Sequence, residues 1–269
     1  MITQYIKRIM EIVPYLEAIE GWLSQAEGIV LYSYAYANKL GDIVEIGSYK
    51  GKSTCWLAAG IHDSGSKHKV YAIDPFTGSK EHKDKVGKVL NTGGLFNGNT
   101  FEDFKNNIER FSLKNYVLPG IMTSKEAVED WDGPIGVLFI DGSHEYEDVR
   151  FDFLSWSKFV PDGGIIILHD TAGGGFAGPR AVVSEFLNSE SFLTVDVGNM
   201  TIAQRLKGGY KQMDDNTRHA YEIEMAKEHK EAPVAQAKPV EPAKVAEPVK
   251  AIEPAKPVEP AKKVSVKKK

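Results

Sequence analysis

The chain has one cysteine in 269 residues, Cys55. A single thiol excludes an intramolecular disulfide and a thiolate zinc site, and it fits a reducing compartment. No apolar run is long enough to span a bilayer. Met1–Glu11 mixes charged and apolar residues and lacks the continuous apolar stretch of a signal peptide, so a soluble cytoplasmic protein with no membrane span is expected. Basic charge is also short. The net charge is −4, and residues 232–269 carry nine lysines against four glutamates, which leaves the rest of the chain at −9. An acidic body gives no support to general nucleic-acid binding, because phosphate neutralisation needs a basic surface, and no nucleic-acid partner is expected.

Large apolar residues are scarce in one place, residues 232–269. That segment holds seven of the 13 prolines, with Glu-Pro recurring every six residues from Glu241 to Glu259. Prolines at that density break helices and strands alike, and little is present to pack, so the composition predicts a disordered tail with polyproline II character. A solvated spacer is the reading favoured over a binding motif, although Lys267–Lys269 would touch an anionic surface weakly.

What remains is patterned for a fold, and its 42% hydrophobic composition suits a buried core. The first forty residues read as helix, with Ser24 and Glu27 spaced as a capping box. Apolar runs then alternate with helical stretches. The strands are expected at Ile43–Ile46, Val70–Ile73, Tyr116–Leu118, Val137–Ile140 and Ile165–Leu168; the helices at Ser53–Ala59, Phe101–Phe111, Lys125–Asp130 and Glu145–Phe159. Strands apolar throughout belong to a sheet covered on both faces, and the alternation implies right-handed crossovers. Phe192–Val197 and Thr201–Gln204, separated by a short turn, read as an antiparallel edge pair. The expected fold class is α/β, a doubly wound, mostly parallel seven-stranded sheet. Its organisation is an N-terminal helical segment 1–41, a ligand-binding domain 42–207, a helix at 208–231 and the tail.

The chemistry concentrates at Val44-Glu45-Ile46-Gly47-Ser48-Tyr49-Lys50-Gly51-Lys52-Ser53-Thr54, where a strand runs into a glycine-bearing turn and a helix. Ligands in doubly wound sheets bind at the carboxyl ends of strands, where this turn falls. Gly47 and Gly51 permit a tight turn and close backbone approach to a ligand. A P-loop is excluded, since it needs four residues between its glycines and only three intervene here. A dinucleotide site is weak, because Tyr49 stands where the middle glycine is needed; this also disfavours a nicotinamide-dependent oxidoreductase. The remaining pattern is Glu-x-Gly-x-x-x-Gly, and a glycine-rich turn with no ligand is its bland alternative. Asp74 strengthens the cofactor reading. It ends the second strand, where an acid accepts two ribose hydroxyls, although Asp-Pro is also an ordinary turn signal.

Together these residues resemble bacterial class I S-adenosylmethionine (SAM) methyltransferases of the macrocin O-methyltransferase and cephalosporin-cluster group. The resemblance runs over residues 20–205. Besides the motif above it includes Glu20-Gly21-Trp22-Leu23-Ser24, Ala72-Ile73-Asp74-Pro75, Trp131-Asp132-Gly133-Pro134, Phe139-Ile140-Asp141-Gly142-Ser143-His144-Glu145-Tyr146 and Gly163-Gly164-Ile165-Ile166-Ile167-Leu168-His169-Asp170. It implies that Glu45, Gly47 and Gly51 line the methionine end of SAM, that Asp74 holds the ribose, and that Met122-Thr123-Ser124 lies near the adenine. Ser48, Ser53 and Asp141 complete the expected cofactor set. Many relatives carry glycine where this chain has Met122.

Methyl transfer from SAM is an in-line displacement, so the protein must align the acceptor and help remove a hydroxyl proton. Asp141, His144 and Asp170 are the candidate catalytic residues. The resemblance implies that acids at these two strand ends hold a divalent ion, commonly Mg2+, with Asp141, His169 and Asp170 as the expected donors. His144 is the candidate base; capping of the following helix by Asp141 and His144 is the competing reading. Four glycines in Thr171–Pro179 suggest a mobile loop over the acceptor, and Phe76–Asn99 a second lid or a disordered stretch. The expected activity is O-methylation of a small-molecule or sugar (glycan) hydroxyl, with a homo-oligomer compatible with it. The contrasting class is a SAM-fold scaffold without catalysis that uses its tail for partner contact.

Overall fold

A computed structural model describes residues 2–78, 98–172, 176–189 and 191–207. The expected helix at 208–231, the tail, most of the Phe76–Asn99 loop and Gly173–Gly175 lie outside the described residues. Two helices open the chain, α1 (Ile2–Leu16) and α2 (Gln25–Ala37). The Ser24–Glu27 capping box is formed as expected. Strands and helices then alternate: β1 (Asp42–Ile46), α3 (Lys52–Ser64), β2 (Val70–Ile73), α4 (Phe101–Arg110), β3 (Val117–Gly120), α5 (Ser124–Glu129), β4 (Ile135–Ile140), α6 (Tyr146–Ser157) and β5 (Ile165–Leu168). The chain continues through α7 (Ala177–Val182), a π-helical turn (Val183–Leu187), β6 (Phe192–Val197) and β7 (Met200–Arg205).

The seven strands form one sheet in the order β3-β2-β1-β4-β5-β7-β6. β1 to β5 are parallel, while β7 pairs antiparallel with β5 and with β6. β3 runs past Leu118 through Pro119 to Gly120. Pro119 is tolerated because β3 is an edge strand with pairing on one side only. Two apolar cores cover the two faces. One joins α1–α4 to the sheet around Trp56, Phe104 and Leu31; the other joins α6 and α7 around Phe153, Trp156 and Phe186.

The N-terminal helices share the first core rather than standing apart. Gly28 of α2 lies so close to the Trp56 ring that a Cβ there would overlap it. Arg8 of α1 binds Asp63 of α3 through both guanidinium contacts, at 2.7 and 3.2 Å, and the Tyr32 hydroxyl donates to the same carboxylate at 3.0 Å. Among the described residues, only the end of the glycine-rich segment after β5 differs from the expected loop: a helix begins at Ala177. Gly178 and Pro179 fall in its first turn, where proline costs no hydrogen bond, and Gly178 lets the helix rest on the backbone of residues 144–146. Among the described residues no helix is long and apolar enough to cross a membrane.

Candidate functional site

The carboxyl ends of β1, β2, β4 and β5 open into one cavity of about 680 Å³. That volume suits a small molecule or cofactor. Crossover chirality places every βα turn of the parallel part at this edge, which is why the sequence motifs converge. One wall comes from the link between α1 and α2: Glu20, Gly21, Trp22 and Leu23. Trp22 is 61% exposed and its ring lies 5.1 Å from that of Tyr49. Lys50 pins this wall to the β1–α3 turn through Glu20 at 2.8 Å, and also reaches Asp103 of α4 at 3.3 Å.

In the turn after β1, Gly47 has φ +86° and a Cβ would overlap the Asp141–Gly142 backbone. Its lack of a Cβ therefore lets the turn close against the end of β4 while Gly47 also lines the cavity. Gly51, at φ +82°, begins α3 against the Phe104 ring. Asp74 knits the turn to β2. Its Oδ2 accepts from Ser48 N and Tyr49 N, each at 2.9 Å, and its Oδ1 accepts from Phe76 N at 2.5 Å. Burial holds its carboxyl above the ordinary aspartate range against those hydrogen bonds. Glu45 is fully buried beneath the turn. Its Oε2 accepts from Ser48 Oγ at 2.8 Å and from Thr54 Oγ1, whereas its Oε1 is buried with no hydrogen-bond partner among the described residues. Burial pushes the Glu45 carboxyl up to about 7 despite the opposing effect of the neighbouring Ser53, Thr54 and Ser48 hydroxyls.

At the ends of β4 and β5, Asp141, His144 and Asp170 offer one ligand atom each within 4.8 Å of one another. His144 Nε2 lies 2.9 Å from Asp170 Oδ2. Two carboxylate oxygens and an imidazole nitrogen suit a divalent cation of hard or borderline character. His169 stands behind this group. Its Nδ1 is 3.2 Å from both Asp141 Oδ1 and Asp170 Oδ2, and its Nε2 is 3.7 Å from Glu27 Oε2. Burial opposes a charge on His169, but the surrounding acids overcome it and push its pKa up to about 12. Asp170, by the same imidazoles, is held well below the carboxylate range although burial works the other way. Asp170 also takes a left-handed backbone, φ +58°, a strained conformation of the kind that accumulates at functional sites.

Gly47, Ser48, Ser53, Asp74, Thr123, Ser124, Asp141, His144, His169 and Asp170 all line the cavity; Glu45 and Gly51 lie in the layer beneath it. Thr123 caps α5 through a box with Glu126. Sequence reasoning missed four contributors. Glu27 was legible as a cap, but its Oε1 also accepts from Asn199 N at 2.6 Å, across 172 residues of sequence. Asn199 in turn donates from Nδ2 to Asp170 Oδ1 at 2.5 Å. Phe176 was noticed only as part of a loop; its ring stacks on His144 at 3.6 Å between centroids. Asp152, on α6, accepts from Ser124 Oγ and carried no motif at all.

Residues 44–171 match a family model described as a methyltransferase domain. An uncharacterized protein of Acanthamoeba polyphaga mimivirus is 29% identical over 129 residues, covering 47% of this chain and 50% of that protein. The chain spans half or less of the length of the curated relatives reported, 50% of this one and 13% of another. Among solved structures, an O-methyltransferase from Bacillus cereus in complex with SAH (S-adenosylhomocysteine) aligns at a TM-score of 0.51 and 16% identity, over 74% of this chain and 90% of that one. The O-methyltransferase TomG from Streptomyces achromogenes, involved in tomaymycin synthesis and solved with SAM, aligns at 0.50 and 15% identity, over 69% and 82%. These likenesses establish a Rossmann-like methyltransferase fold.

Proposed function

We propose that this protein is a SAM-dependent methyltransferase acting on a hydroxyl of a small-molecule or sugar acceptor, with a divalent ion, magnesium first among the candidates, held by the carboxylates of Asp141 and Asp170 and with His144 beside it as the base. One observation carries the reading: a single cavity joins the Gly47–Asp74 turn to the converging ligand atoms of Asp141, His144 and Asp170. The matched domain, and the SAM and SAH named with the structural neighbours, support the choice of cofactor. Asp74 would accept the ribose hydroxyls, and Thr123 and Ser124 would flank the base. A bound ion would draw in the acceptor oxygen and lower its pKa. The rest falls to the chain's own residues. Asp170 orients the His144 imidazole, Phe176 shields it from water, and the imidazole takes the hydroxyl proton as the oxygen attacks the methyl carbon. The sulfonium leaves as a neutral thioether, so the reaction discharges a cation and needs no strong base.

The test is transfer from labelled SAM to a panel of glycan and natural-product hydroxyls, with SAM binding followed separately by calorimetry. EDTA should stop turnover and spare SAM binding, and magnesium should restore the rate. Turnover that survives EDTA, with Asp170→Asn still active, removes the ion and leaves His144 as a metal-free base. Absence of SAM and SAH binding would overturn the whole reading.

A further inference from the structure

Asn199, in the turn between β6 and β7, has all four of its polar atoms engaged. Its Nδ2 donates to Asp170 Oδ1 at 2.5 Å, its Oδ1 accepts from Ala172 N at 3.0 Å, and its backbone oxygen accepts from Thr171 N at 3.1 Å. Its own N donates to Glu27 Oε1 at 2.6 Å. One turn residue thus holds three consecutive residues beyond β5 and a carboxylate of α2. These partners also fix the amide. Turned over, it would set its oxygen against the Asp170 carboxylate and its NH2 against the Ala172 N–H, and both bonds would be lost. Glu27 is a firm anchor, 3% exposed, with Oε2 accepting from Ser24 N at 2.7 Å. Gly198, at φ +61°, leaves the space in which that carboxylate meets the turn, since a Cβ there would lie 2.6 Å from Oε1. A helix cap by itself needs no such partner. At the other end of these contacts, Asp170 has a left-handed backbone, a conformation that persists only where the surroundings over-determine it. With Oδ1 tied to Asn199, Oδ2 is the oxygen that faces His144 Nε2 at 2.9 Å and His169 Nδ1 at 3.2 Å.

We infer that Asn199 is a positioning residue: anchored on Glu27, it fixes the rotation of the Asp170 carboxylate and so decides which oxygen faces the cavity. This rests on the reading of Asp170 as an ion-holding acid beside the base His144. Neither Asn199 nor Glu27 lines the cavity, so both act through Asp170. An untethered aspartate exchanges its two oxygens by turning about its last side-chain bond, and it gives up that freedom when an ion binds. A carboxylate already held by an outer partner has less to give up, and losing such a partner typically costs about 10–100-fold in metal affinity. The same tether keeps Oδ2 on the His144 imidazole.

The experiment measures Mn2+ binding to the full-length chain from the electron paramagnetic resonance signal of the free ion. Circular dichroism and the urea midpoint, recorded beside it, establish that each variant is folded. Asn199→Ala should weaken Mn2+ binding by about 10–100-fold. Asp196→Ala is the control for a loosened turn. Asp196 is exposed and accepts from Thr201 Oγ1 at 2.7 Å in the same strand pair, outside the bonds that reach Asp170. This variant should lower the urea midpoint at unchanged Mn2+ affinity. Gly198→Ala keeps every polar atom of Asn199 and forces the turn off Glu27, so Mn2+ affinity should fall there too. It carries the test if Asn199→Ala does not fold. Undiminished affinity in the folded variant of these two, or an equal loss in Asp196→Ala, would overturn the inference and leave the ion in the proposed site. If the unaltered protein takes up no Mn2+, the ion leaves the proposed function and the inference falls with it.

Discussion

Asp74, the proposed ribose acid, also serves the fold. Its carboxylate accepts three backbone N–H groups, from Ser48, Tyr49 and Phe76. Asp74→Ala strands all three, at about 1–3 kcal/mol for each that stays dry, so stability and cofactor affinity should fall together. Asp74→Asn keeps an acceptor for the backbone and separates the effects. Calorimetry should show SAH binding weakened about tenfold, with a much smaller loss in denaturant midpoint; unchanged affinity would remove Asp74 from the ribose site. Glu45 makes a pH prediction. Burial raises its folded-state pKa to about 7 from the ordinary glutamate value of 4.5. The folded protein therefore holds a proton that the unfolded chain has released, and stability falls as pH rises from about 4.5 to about 7. Glu45→Gln removes that fall and should be the more stable form above neutral pH. Urea unfolding across this window checks it, and parallel curves for the two proteins would show that Glu45 does not titrate there.

Elements meet at this site through small residues. The β1 turn touches the end of β4 because Gly47 has no Cβ, and φ +86° is itself unfavourable for any other residue. Gly47→Ala should cost about 2–5 kcal/mol from strain and overlap, read as a lowered urea midpoint. Near-normal stability would mean that the two turns can separate cheaply. Gly198 does the same for the β6–β7 turn. A Cβ there would strike the Glu27 carboxylate, which holds Asn199 and stands beside His169. The N-terminal helices thus reach the Asp170 end of the cavity through one side chain.

At the scale of the whole molecule, the cavity draws walls from the α1–α2 link, from the ends of four parallel strands and from the start of α7. A ligand that fills it stabilises all of them at once. SAH at one hundred times its dissociation constant should add about 2.7 kcal/mol. For a domain of this size that is a rise in melting temperature of roughly 5–10 °C by scanning calorimetry. A flat response to SAH would count against the cofactor reading as directly as failed turnover.

The amino-acid sequence alone determined the alternating architecture, the capping box at Ser24 and the position of Asp74 at a strand end, because each follows from local periodicity or from spacing within a few residues. It also placed Asp141, His144 and Asp170 beyond strand ends, which chirality sends to one edge of the sheet. Only the tertiary structure decided what those residues touch. Gly47 lines the cavity as expected, but its contact with the end of β4 was not legible, because the register of β1 on β4 has no signature in either segment. Thr171–Pro179 read as a loop, since glycine and proline are ambiguous between a turn and the first turn of a helix. Glu27, Asp152 and Asn199 stand in sequences that read as cap, helix surface and turn. Their roles depend on partners 172, 28 and 29 residues away, and separations of that length are set by packing rather than by any local pattern.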